Sequence, residues 1–255
     1  MNNADTRRLI ELVESQTGYR VTVDVVSGIH EHAEMVSARP EAPAHVIRVN
    51  AERRQHAEYI VALQCAMLLE LWSDPSRVPA MVFDTAKCDF LAAKWARTKQ
   101  LASLPGGSAA NTAKFFVNGL LRQLGSAPLE IHVASRCFRE CPSLRTMQAE
   151  SLDAHLRSLS KVFSPKVKDL APEEVFQKNV AMNAALALNW SRLSGSRLML
   201  LPYESTGHLE LGEALLEDTD RAAGDGSDRY VNSVNAWAER LFLRTLFHWE
   251  YSNRK

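Results

Sequence analysis

Most of the chemistry open to this chain of 255 residues rests on eight histidines and four cysteines. The histidines are His30, His32, His45, His56, His132, His155, His208 and His248. No two stand four apart, so no helix offers a His-x-x-x-His pair to one metal ion. The densest group is Ile29-His30-Glu31-His32-Ala33-Glu34. On a strand His30 and His32 would share a face and could chelate; the expected reading is a solvated loop after Gly28. His132, Cys137 and Cys141 could be gathered into a second site, but Cys141 precedes Pro142 and is expected at the start of a helix. No cysteine pair has C-x-x-C spacing, and all four read as reduced, buried thiols. There is no G-x-S-x-G, no P-loop and no G-x-G-x-x-G. Gly106-Gly107-Ser108 could turn backbone N–H groups toward an anion. It lacks the Lys-Ser/Thr of a nucleotide site and reads as a turn with Ser108 as helix N-cap.

The elements that must position these residues follow from periodicity. Residues 5–16 carry a helical stripe of Leu9, Ile10, Leu12 and Val13, with Gly18 past its end. Val21, Val23 and Val25 alternate with polar residues as a strand does. Residues 33–37 give a second, weaker strand, and 44–49 a third. Residues 52–73 are helical, and Tyr59 to Trp72 is apolar on nearly every face, which predicts an interior helix. Helices are expected over 84–103, 108–124, from Pro142 to about Ser160, from Pro172 to about Leu193, over 208–218 and over 231–251, with no strand beyond residue 50. In the helix from Pro172, Asn179, Asn183 and Asn189 interrupt an apolar surface; they require inter-helix hydrogen bonds or line a pocket. The aromatic-rich end (Trp237, Phe242, Phe247, Trp249) is expected to dock on the body or on a partner. The fold class is therefore α+β: a small twisted sheet with a central buried helix, then a mostly α-helical remainder. The expected division is 1–104 for the α+β part and 105–255 for a helical domain packed on it.

The order helix, strand, Pro-bounded turn, strand "HVIRVN", helix "AEYIVALQCAMLLELW" resembles the zinc metallopeptidase-like proteins of the ImmA/IrrE type, over roughly residues 5–104. The resemblance implies that the interior helix descends from one bearing H-E-x-x-H. Leu63 then stands at the first His, Gln64 at the Glu and Met67 at the second His. Leu63 has no lone pair, a Met67 thioether is a soft ligand that favours copper(I) over zinc, and the Gln64 amide cannot take a proton near neutral pH. A looser match of the next helix to "AKCDFLAA" places Lys87 at the third ligand, where an ammonium would repel a cation. An ordinary buried helix accounts for the same residues, and on either reading no zinc peptidase is expected here.

Charge sums to zero, with 30 Lys and Arg against 30 Asp and Glu, which excludes a globally basic nucleic-acid coat. It is uneven: 85–145 carries net +6 and 200–239 net −7. Lys94, Arg97, Lys99, Lys114, Arg122, Arg136 and Arg139 could contact nucleic acid or an acidic partner. The start is polar and without a signal-like apolar core, and the longest apolar run is too short to cross a bilayer. A cytoplasmic protein with no membrane partner is expected. The resemblance implies a catalytically inactive, metallopeptidase-like binding or regulatory scaffold with a protein partner and no metal or cofactor, in bacterial stress response or phage and mobile-element regulation. The alternatives are a hydrolase with a metal site relocated to His30, His32 or 132–141, and a nucleic-acid-binding protein using 85–145.

Overall fold

A computed structural model describes residues 1–29, 32–105, 107–205 and 207–252. His30 and Glu31 of the dense histidine group, and Gly106 of the expected anion turn, lie outside the described residues. The fold is α+β with two small sheets. Helix α1 (Ala4–Thr17) is capped by Asn3, whose side chain accepts from the N–H groups of Asp5 and Thr6. It ends at Gly18, which turns left-handed at φ 74°. Strands β1 (Arg20–Val26), β2 (Ala33–Val36) and β3 (Ala44–Asn50) form one sheet in the order β1-β3-β2. β1 runs parallel to β3, with Val23 opposite Ile47; β2 runs antiparallel, with Met35 opposite the same Ile47.

The expected helix over 52–73 is a 3-10 segment over Ala51–His56 followed by α2 (Ala57–Leu71). Why α2 is apolar all round is now plain. Ile60, Val61, Cys65 and Leu68 pack with Leu9 and Val13 of α1 and with Ile47 and Val49 of β3. Tyr59, Leu63, Ala66 and Met67 belong to a second, larger cluster built by the helices that follow. Those helices are α3 (Thr85–Ala96), α4 (Lys99–Ala102), α5 (Ser108–Glu140), α6 (Arg145–Leu159), α7 (Pro165–Leu170), α8 (Glu173–Ser194), α9 (Leu201–Glu204), α10 (Leu209–Arg221) and α11 (Gly226–Arg240). The expected boundary at 104/105 falls in the turn between α4 and α5, and buried side chains from both sides of it share the larger cluster.

Four expectations need correction. The helix from 108 runs to Glu140, straight through Pro128. A proline in a helix interior costs about 3 kcal/mol; here Ala127, Leu129, Ile131, Val133 and Ala134 around it are buried, which offsets that cost. Ser108 is the first helical residue and not the cap, because Gly107 holds the cap position at φ 73°. The expected helix 84–103 breaks at Thr98 into α3 and α4. Last, the expected helix to Tyr251 stops at Arg240, and strands do occur beyond residue 50. Phe242 takes a left-handed φ of 56°, a position usually left to glycine, while Leu243 N–H bonds back to Ala238 O at 2.8 Å. The chain then forms β5 (Phe247–Ser252), antiparallel to β4 (Val78–Phe83). Pro79 is tolerated there because the two-stranded sheet leaves each strand an open edge.

The asparagines of α8 make inter-helix bonds to α5. Gln123 Nε2 donates to Asn183 Oδ1 and Asn179 Nδ2 donates to Gln123 Oε1, both at 2.6 Å. Ser135 Oγ donates to Asn189 Oδ1 at 3.0 Å, and Asn189 Nδ2 to Ile131 O at 3.3 Å. On its other side α8 meets α10 so closely that a Cβ on Gly212 would stand 2.7 Å from Ala184 Cβ.

Candidate functional site

The positions matched to the peptidase motif do not line a cleft. Leu63 is 8% exposed and Met67 9%, both inside the larger cluster. Gln64 is half-buried, and its side chain has no hydrogen-bond partner among the described residues. Lys87 stands in solvent, its Nζ 3.0 Å from Asp84 Oδ2, and not in the core. All four cysteines are free and buried, as their surroundings predicted.

Two groups of ionisable side chains do converge. The first joins α2 to α5. Glu70 is buried; its Oε1 lies 3.2 Å from His132 Nε2 and its Oε2 3.2 Å from Arg136 NH1. Arg136 also donates to Ala66 O at 3.4 Å. Burial alone would raise the Glu70 carboxyl, but the His132 hydrogen bond and the charges of His132 and Arg136 outweigh it and hold it below the usual carboxylate range. Tyr230 lies against the same spot, and its burial pushes its hydroxyl upward. The cavity there, lined by Glu70, His132, Arg229 and Tyr230, encloses about 10 Å³, room for about one water.

The second group joins the start of β2 to α5 and α6. His32 Nε2 faces His155 Nδ1 at 3.0 Å, with the rings edge to face at 4.6 Å. His155 Nε2 lies 3.8 Å from Glu130 Oε1. A proton on His155 Nε2 turned to that carboxylate leaves Nδ1 as acceptor, so His32 Nε2–H is the donor. Partial burial first, then His155, Arg53 and His56, bring the His32 pKa down to about 4. The loop is held by Asn50, whose N–H donates to His32 O at 3.0 Å and whose side chain donates to Ile29 O at 2.8 Å. Next to it His56 is 5% exposed; its Nε2 lies 3.5 Å from Glu150 Oε2, and its Nδ1 has no partner among the described residues. The adjoining cavity, lined by Glu130, His155, Asn189 and Trp190 among others, again has room for about one water.

His32 thus meets His155, whose far nitrogen is backed by Glu130, and neither residue carries a spacing signal. His132 turns to Glu70 and away from the thiols with which the sequence grouped it. Cys137 donates its S–H to Cys141, which also lies 3.6 Å from Arg8 NH2. That bond first raises the Cys137 thiol, with burial adding to the rise, and lowers Cys141 against the opposing effect of burial. His45 is a core residue: Ala38 N–H donates to its Nδ1 at 3.1 Å and its Nε2 faces Thr17 Oγ1 at 3.1 Å.

The basic stretch is partly neutralised. Lys114 pairs with Asp89 at 2.8 Å and Lys94 with Glu174 at 3.7 Å, and Arg136 belongs to Glu70. Among the described residues Arg97, Lys99, Arg122 and Arg139 are exposed and form no ion pair. Beside the Lys114–Asp89 bridge in sequence stand Phe115 and Phe90, 73% and 77% exposed. No helix among the described residues is long and apolar enough to cross a membrane. Comparison with family models, with curated proteins and with solved structures finds no match.

Proposed function

We propose that this chain is a non-catalytic binding scaffold whose α3–α5 face engages an acidic protein surface. The observation that carries the reading is the pair Phe90 and Phe115, exposed on neighbouring helices and tied across by the Lys114–Asp89 bridge. Large aromatics left in water beside cations are the composition of a protein-binding patch. Arg97, Lys99 and Arg122 supply charge for an acidic rim. The packing of Leu63 and Met67 supports the same reading, since it makes α2 a beam of the core. The resemblance to ImmA/IrrE-type proteins then implies a regulatory setting in bacterial stress response or mobile-element control, with the catalytic helix retained for its packing.

The test is site-specific photo-crosslinking from benzoylphenylalanine at position 90, at 115 and, as control, at 12, where Leu12 is also exposed. The same partner is expected from 90 and 115 and not from 12. With that partner purified, a Phe90→Ser/Phe115→Ser variant is expected to bind at least tenfold more weakly and to melt as the parent does. Binding by the double variant at the parental affinity contradicts the proposal, as does equal crosslinking from all three positions.

A further inference from the structure

We propose that His32 and His155 are the imidazole ligands of a divalent transition-metal site, of the zinc class, that clamps the start of β2 to α6. Their facing nitrogens stand 3.0 Å apart. With Zn–N bonds of 2.0–2.1 Å, two ligands of a tetrahedral zinc stand about 3.3 Å apart, so a few tenths of an ångström of opening admits the ion. Two further features are those of a metal-binding histidine site. The far nitrogen of His155 is backed by Glu130, the carboxylate-to-imidazole arrangement that orients a ligand and raises its basicity. His56 repeats it: Glu150 backs Nε2, and the buried Nδ1 has no partner among the described residues. The His32 backbone is fixed in advance by its bond from Asn50.

The electrostatics suit a cation. Glu130, behind His155, and Glu150, behind His56, bring two negative charges against Arg53. Imidazole ligands suit zinc, copper and nickel better than magnesium or calcium. Among the described residues no three His, Cys, Asp or Glu side chains already stand close enough to share one ion, so water completes the coordination. Binding releases no net proton. The Nε2–H of His32 moves to its Nδ1, and the metal takes the position between the rings that this proton held.

The experiment is a titration of the chelator-treated full-length protein with zinc chloride, followed by calorimetry, and with cobalt chloride, followed by absorbance. One equivalent is expected to bind at micromolar protein and to raise the melting temperature. His32→Gln and His155→Gln should each weaken uptake at least tenfold, while His248→Gln, on the exposed face of β5, should leave it unchanged. Glu130→Gln, which removes only the backing charge, should weaken it roughly tenfold and guards against a fold defect in the ligand variants. Failure of the parent to take up zinc overturns the proposal, as does uptake that survives His155→Gln.

Discussion

Two carboxylate–histidine groups meet the same long helix α5 and reach opposite states. At Glu70, itself buried, a permanent cation, Arg136, closes the charge and His132 completes it, with Tyr230 lying against the same spot. At Glu130, among the described residues, no arginine is in contact, and the carboxylate backs an imidazole whose other nitrogen faces a second imidazole. The first group has its bonding satisfied internally and ties α2 to α5. The second holds two rings together through one proton, in a seam between sheet and helices. What separates a structural ion pair from an available site is here the presence of one guanidinium.

The largest effect should come from the closed group. Glu70→Ala leaves His132 beside Arg136, whose remaining carboxylate partner is the exposed Glu140 at 4.0 Å, and breaking a buried pair in this way costs on the order of 3 kcal/mol; urea denaturation reads it. A loss below about 1 kcal/mol would blur the distinction.

Acid should act on the two groups in different windows. The unfolded chain protonates His32 near 6.5, while the folded chain resists until about 4. Stability is therefore fully present above pH 6.5 and falls as pH drops from there toward 4. The Glu70 carboxyl is lowered in the fold, so its contribution persists to more acidic pH and is lost as the carboxylate itself takes up a proton. Melting temperatures from pH 8 to 3 should show both limbs, with His32→Gln removing the upper and Glu70→Gln the lower. A single limb unaffected by His32→Gln would count against the imidazole pair.

The smallest effect is expected at Glu130. Its contact with His155 is long and partly exposed, so Glu130→Gln should change stability by less than about 1 kcal/mol. That mild outcome, against the heavy one at Glu70, is what the comparison requires.

Local periodicity made much of the front legible. The valine alternation of β1, the stripe of α1 and the unbroken apolar surface of α2 each announce their element, because each is decided by neighbours within a few residues. The β4–β5 sheet was not legible: Val78–Phe83 finds its partner in Phe247–Ser252, and no local pattern records a pairing across that span. Pro128 misled for a related reason, since the burial that offsets its cost comes from other helices. The candidate site was half legible. His32 stood out by density, but His155 and Glu130 are isolated in sequence, and only the packing of α5, α6 and the loop before β2 brings them together.

The most direct test of the account is an NMR titration of the His32 imidazole in the intact protein. The paired, partly buried ring predicts a midpoint at about 4, moving upward in His155→Gln. A midpoint near the ordinary 6.5, unchanged by that substitution, would show that the two rings do not face one another and would contradict the account.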